Sequence, residues 1–174
     1  MANTVRLAAA RTRRRYEGDE RRPLQGYLGA MAAYAVAAAG TVAFGRATGV
    51  RLPERFSLGD TILLSIATHK ASRLLAKDSV TSPLRAPFTE YQEPAGEAEL
   101  NESVRGHGVQ HTVGELITCP FCLAVWISTS LTAGMVFAPR ATRVATTILT
   151  AVAASDALQL AYDGGKQALQ SAGE

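Results

Sequence analysis

Two cysteines, Cys119 and Cys122, are the residues best suited to chemistry in this chain of 174 residues. A Cys-x-x-Cys pair can bind one metal ion through two thiolates, or act as a redox dithiol, because one helical turn brings the sulfurs together. The pair supplies half of a tetrahedral zinc site, which His107 and His111 could complete from upstream. Alternatively, both cysteines are small apolar residues at the start of a helix, with Pro120 in its first turn. The pattern leaves all these interpretations open.

Charged residues inside apolar segments form a second candidate site. Asp156 stands in one such segment, and Lys70 and Arg73 lie in another. A charge within hydrocarbon is costly and usually pairs or lines a functional cavity. We expect Asp156 to pair with a cation of matching depth, and we favour Arg73 over Lys70 because a guanidinium holds a carboxylate through two parallel hydrogen bonds. An ion pathway is the alternative, although a single acid provides no relay.

Four apolar runs would position these residues: 24–45, 58–76, 116–138 and 141–162. A helix of about 20 apolar residues crosses the roughly 30 Å of membrane hydrocarbon. The second run is weaker, because its basic residues must face a helix bundle or the interface. The sequence therefore predicts an all-α polytopic membrane protein, with four transmembrane helices over 23–163 and a long cytoplasmic loop, 77–115, between helices 2 and 3.

Composition excludes other classes of protein. With 47% hydrophobic and 19% charged residues, the chain has too much apolar surface to be disordered throughout. Two cysteines three positions apart cannot cross-link a disulfide scaffold.

Basic residues are distributed unevenly between the two sides of the four-span arrangement. The tail 1–22, the loop 77–115 and the tail 164–174 carry eleven Lys or Arg residues, against five on the opposite side. Basic excess marks the cytoplasmic side, so both termini and the loop are predicted to be cytoplasmic.

The N-terminal tail contains the runs Arg13-Arg14-Arg15 and Arg21-Arg22. Its composition is typical of a solvated tail that directs membrane orientation. The alternative is a patch that binds anionic lipid headgroups. We expect no nucleic-acid binding, since Tyr16 alone interleaves the basic residues.

The loop changes character midway. Its first part, 77–88, contains two prolines, and we expect it to pack as an ordered cytoplasmic cap against the start of the third span near Cys119. Its second part, 90–102, is rich in glutamate and predicts a mobile acidic segment.

Several linked motifs follow one another in a single order: Ser72-Arg73-Leu74, the run from Lys77 to Thr81, the run from Pro83 to Phe88, the run from Gly114 to Trp126, and Asp156. Through these motifs, residues 56–160 resemble DUF1360, an uncharacterised family of bacterial membrane proteins. His107 and His111 are not part of the family pattern, and Ala124 stands where the family typically shows glycine. The resemblance implies a membrane fold and singles out the following residues as a functional or structural motif: Arg73, Asp78, Arg85, Glu115, Cys119, Pro120, Cys122, Trp126 and Asp156.

These observations predict a small bacterial inner-membrane protein without catalytic activity. It would act as an assembly partner or anchor, with the lipid bilayer and a protein at its cytoplasmic face as partners. The sequence shows no nucleophile–base pair, phosphate loop or complete metal set, so we expect no cofactor. One alternative is a membrane thiol or metal protein, with Cys119 and Cys122 binding zinc, and another is a small transporter or channel subunit.

Overall fold

The computed structural model describes residues 10–12, 15–16 and 24–172. In chain order the elements are α1 (Leu24–Ala47), α2 (Leu58–Ala76), a 3-10 turn (Ser79–Thr81), α3 (Ser82–Arg85), β1 (Thr89–Gly96), β2 (Glu99–Val104), α4 (Val109–Thr118), α5 (Pro120–Phe137) and α6 (Pro139–Ser171). Apart from Arg15, the arginine cluster predicted to contact lipid lies outside the described residues.

Three of the described helices, α1, α5 and α6, are long and apolar enough to cross a membrane. Very few of their residues are buried by the rest of the chain, as expected of helices surrounded by lipid. Helix α2 does not meet the same criterion, because it carries Asp60, Lys70 and Arg73. The structure therefore supports a mostly helical, membrane-associated chain with three candidate spans of the four predicted.

Helix α2 packs against both α5 and α6, which also contact each other. Its buried residues, Ala67, Ser72 and Ala76, are small, so neighbouring backbones can approach closely. The Thr150 hydroxyl of α6 donates to the Leu63 carbonyl of α2 over 3.3 Å. The charged helix is thus the one with the most protein around it, which suits its polar residues.

Residues 77–104 fold into a compact unit at the C-terminal end of α2, which we call the cap. Within it β1 and β2 pair antiparallel, with Thr89 opposite Val104 and Pro94 opposite Leu100. The fold is therefore mostly helical rather than all-α, and the acidic segment 90–102, predicted to be mobile, lies within this hairpin. The hairpin presents few apolar residues because part of its inner face is occupied by a buried ion pair, so its composition resembles that of a disordered segment.

Contacts at both ends show that α1, α2, α5 and α6 run alternately up and down. At the end opposite the cap, Arg143 of α6 pairs with Asp60 of α2, with 3.3 Å between Nε and Oδ1. The rings of Phe44 in α1 and Phe137 in α5 meet there at 5.5 Å between centroids. The N-terminus of α1, the C-terminus of α2 and the N-terminus of α5 therefore share the cap end.

Two of the predicted spans differ in their bounds from the helices of the structure. The third span, predicted as 116–138, is interrupted at Cys119, because Pro120 begins a new helix and the residue before a proline disfavours helical geometry. The fourth, predicted as 141–162, continues to Ser171, so most of the predicted C-terminal tail is helical. Helix α2 begins and ends at the predicted residues, 58 and 76.

Candidate functional site

Arg85 is the centre of the cap, and its side chain is only 1% exposed. Its guanidinium pairs with the carboxylate of Glu102, which is 5% exposed. Nη1 donates to the Leu75 carbonyl over 2.9 Å and to the Thr81 hydroxyl over 2.7 Å. Nη2 donates to the Asp78 carbonyl over 3.0 Å. One buried cation thus joins the end of α2, the 3-10 turn and β2, and a buried charge satisfied in this way favours a single arrangement of the chain.

Two further motif residues shape the cap and its attachment to α2. The Asp78 carboxylate accepts the Val80 N–H over 3.3 Å at the start of the 3-10 turn. Arg73 Nε donates to Glu99 Oε1 over 2.9 Å, which joins α2 to the hairpin. The stretch predicted as an ordered cap contacts α4, upstream of the predicted third span: the Gln110 side chain donates to the Pro87 carbonyl over 2.9 Å.

Asp156 pairs with Lys70 and not with Arg73. The Lys70 Nζ lies 2.7 Å from Asp156 Oδ2. Our preference for Arg73 is therefore wrong, and the alternative partner holds the carboxylate. Arg73 instead pairs with Glu99 of the hairpin, which lies in the segment that composition predicted to be mobile.

The two cysteines lie where α4 ends and α5 begins. Cys119 has extended backbone (φ −101°, ψ 104°), and its Sγ accepts the Cys122 N–H over 3.2 Å, as an N-cap side chain does. Pro120 occupies the first turn, where its missing N–H costs nothing. This geometry matches the structural interpretation of the pair and leaves both thiols free.

A metal site is not assembled around these thiols within residues 24–172, where no three His, Cys, Asp or Glu side chains are grouped to hold an ion. His111 lies instead 3.6 Å from Glu115, measured from Nε2 to Oε1.

A cleft of about 840 Å³ separates α1 from α4 and α5. Its lining is mostly apolar and comprises Tyr27, Ala30, Met31, Tyr34, Ala35, Thr112, Glu115, Leu116, Thr118, Cys119, Cys122, Val125 and Trp126. The motif residues Glu115, Cys119, Cys122 and Trp126 are thus brought together here, whereas Arg73, Asp78 and Arg85 belong to the cap.

Contacts at two levels hold the cleft. At the cap end, the Tyr27 hydroxyl donates to Glu115 Oε1 over 3.1 Å. Beside it Gly26 meets Thr112 so closely that a Cβ on Gly26 would lie 1.8 Å from the Thr112 hydroxyl. Further along α1, the Tyr34 and Trp126 rings meet edge to face, with 5.3 Å between centroids.

Three residues that line the cleft were not predicted from the sequence: Tyr27, Met31 and Tyr34. A signal was present, since Tyr27 and Tyr34 are seven residues apart and so lie on one helical face, two turns apart, in an alanine-rich helix. Nothing in α1 itself indicated which helix that face would meet.

A family model described as "Protein of unknown function (DUF1360)" matches residues 63–162. The chain belongs to the DUF1360 family. Sporulation protein YjcA of Bacillus subtilis (strain 168) is 38% identical over 68 residues, which cover 37% of this chain and 58% of that relative. The match therefore spans little more than half the length of the relative. No solved structure matches the chain. The DUF1360 match begins within α2 and includes the cap, the cysteines and the Lys70–Asp156 pair, but α1 precedes it.

Proposed function

We propose that this protein is a non-catalytic anchor in the bacterial inner membrane that binds a protein partner through its cytoplasmic cap. The observation that supports this proposal is the burial of Arg85 with Glu102 at the centre of the cap. Because the buried pair is stable only with its partners in place, the cap keeps one shape. A preformed surface loses little conformational entropy when a partner binds.

Exposed side chains of strand β1 offer the contact surface. Tyr91 is 60% exposed, and the neighbouring Glu90 and Glu93 are exposed as well. Exposed aromatic side chains often carry much of the binding energy of a protein interface. The surrounding carboxylates favour a partner with a basic surface and would speed its association.

Placing a photoreactive amino acid at position 91 tests this proposal. We expect cross-linking in cells to give one discrete protein adduct, and we expect the double substitution Glu90→Lys, Glu93→Lys to abolish it. The control position is Leu52, an exposed residue between α1 and α2 on the opposite side. An equal adduct at both positions, or none at position 91, would contradict the proposal.

A membrane thiol protein is the second candidate. Both cysteines line the cleft, and Cys122 is exposed, so a reagent or substrate can reach a thiol. The double substitution Cys119→Ser, Cys122→Ser discriminates the two functions: an anchor keeps its adduct at position 91 and its cellular role, and a thiol protein loses the role. A transporter or channel has weaker support, because Asp156 is engaged by Lys70.

A further inference from the structure

The cleft between α1 and α5 is a cavity whose surroundings are lipid. Helix α1 buries none of its described residues, and both helices are apolar enough to cross a membrane. The cleft is lined by Ala30, Met31 and Ala35 on one side and by Val125 on the other. Its volume of about 840 Å³ falls in the range of small-molecule sites. Because an apolar cavity does not hold ordered water, hydrocarbon from the membrane is its natural occupant.

One end of the cleft carries a carboxylate with an acceptor to spare. Glu115 Oε1 receives the Tyr27 hydroxyl, but Oε2 is shielded from solvent and has no hydrogen-bond partner among the described residues. A buried acceptor without a donor is unfavourable. The Glu115 side chain lines the cleft and is 27% exposed, so a donor within the cleft can approach its carboxylate.

We propose that the cleft binds the acyl chain of a phospholipid whose headgroup carries a primary ammonium, with the ammonium donating to Glu115. Glu115 lies at the cap end of the helices, where a headgroup sits, and the apolar wall extends from it toward Trp126. A hydrogen bond between an ammonium and a carboxylate is charge-assisted and stronger than one between neutral groups. A quaternary ammonium has no N–H to donate, and an anionic headgroup is repelled, so the site distinguishes lipids by headgroup.

The contact between Tyr34 and Trp126 limits the length of chain that the cleft accepts. Tyr27 and Tyr34 are seven residues apart, which corresponds to about 10 Å along a helix. The cleft therefore binds the part of the acyl chain nearest the headgroup and leaves the rest in the bilayer. Trp126 stands beside this part of the chain.

Trp126 is the only tryptophan in the chain, so its fluorescence reports directly on the cleft. The full chain is placed in phosphatidylcholine bilayers that contain a small fraction of lipid with brominated acyl chains, which quench tryptophan on contact. We expect brominated phosphatidylethanolamine to reach half-maximal quenching at about a tenfold lower mole fraction than brominated phosphatidylcholine, in line with the strength of hydrogen bonds to charged groups. Brominated phosphatidylglycerol should quench no better than phosphatidylcholine.

Two pairs of variants assign the preference to the cleft. Glu115→Gln keeps an acceptor for Tyr27 but removes the charge. We expect brominated phosphatidylethanolamine and phosphatidylcholine to quench this variant equally. Glu93→Gln makes the same change on the cap and should leave the headgroup preference unchanged. Ala35→Leu fills the cleft and should weaken quenching by every lipid, whereas Ala33→Leu makes the same change at a position that does not line the cleft.

Equal quenching by all three brominated lipids in the unsubstituted protein would overturn the proposal, whether or not the variants fold. A headgroup preference that persists in Glu115→Gln would also overturn it. So would cross-linking of two copies through a photoreactive residue at position 31, because the cleft would then hold a helix of a second chain.

Discussion

Lys70 of α2 and Asp156 of α6 form an ion pair with 2.7 Å between Nζ and Oδ2, while Arg73, one turn further along α2, binds Glu99 of the hairpin. The two cations of this helix therefore have separate tasks. Lys70 holds α6 within the bundle, and Arg73 holds the cap. Through α2, the arrangement of the membrane helices determines where the cap sits.

A mutant cycle on Lys70 and Asp156 should show coupling. We expect Lys70→Ala and Asp156→Ala to destabilise the protein singly, and the double variant to lose less than the sum by about 1–3 kcal/mol, because each single variant leaves an unpaired charge in the bundle. The measurement is the free energy of unfolding in detergent. As a control, Arg73→Ala combined with Asp156→Ala should be additive. Coupling of Asp156 to Arg73 as strong as that to Lys70 would refute the pairing.

Removing the buried guanidinium should unfold the cap. Arg85→Met leaves the Glu102 carboxylate buried and unpaired, so we expect a loss of about 3–5 kcal/mol in the free energy of unfolding. Proteolysis within 89–104 should accelerate in parallel. Arg105→Ala is the matched control, because Arg105 pairs with Glu90 at the surface, and exposed pairs contribute about 1 kcal/mol or less. Unchanged proteolysis in Arg85→Met would show that Arg85 does not hold the cap together.

Two glycines should respond oppositely to alanine. A Cβ on Gly114 would lie 2.4 Å from Val104 Cγ1 and 2.9 Å from the Phe88 carbonyl oxygen, so Gly114→Ala should cost about 1–3 kcal/mol by overpacking. Gly29 has open space around it, so Gly29→Ala should be neutral or stabilise helix α1 by up to about 1 kcal/mol. The measurement is the melting temperature of each variant in detergent. A similar shift for Gly114→Ala and Gly29→Ala would contradict the packing of α4 on the hairpin.

Reporter insertions test whether α2 crosses the membrane. Helix α2 lies between Val50 and the hairpin turn at Gly96. We expect the cap side to be cytoplasmic, because it carries the excess of basic residues. A reporter at Gly96 should therefore read cytoplasmic and one at Val50 external. The same location for both reporters would mean that α2 does not span the bilayer.

Helix positions were largely predictable because apolar length is a local property. The start of α2 also carries a local capping signal, since the Asp60 N–H donates to the Ser57 hydroxyl over 3.0 Å. A helix that starts at the cysteines, with Pro120 in its first turn, was one of the interpretations that the sequence left open. Apolar composition alone does not reveal the break at Cys119, because the residues on both sides of it are hydrophobic.

The hairpin and the cleft were not predictable in the same way, because both depend on distant residues. Glu102 becomes a core residue only when Arg85, seventeen positions earlier, is folded against it. The cleft exists because Gly26 and Tyr27 bring α1 against α4, and this contact joins residues more than eighty positions apart. Ion pairs and close approaches of this kind have no periodic signature in a sequence.

Helix α6, at 33 residues, is about 50 Å long, whereas membrane hydrocarbon is roughly 30 Å thick. Of the ion pairs that it makes with other helices in the described chain, Lys70–Asp156 lies nearest its C-terminal end. The stretch from Asp156 to Ser171 thus projects about 22 Å beyond that pair, with Gly164 and Gly165 near its middle. Glycine weakens a helix, so this projection can bend at the pair of glycines while Lys70 and Asp156 keep the preceding part of α6 against α2.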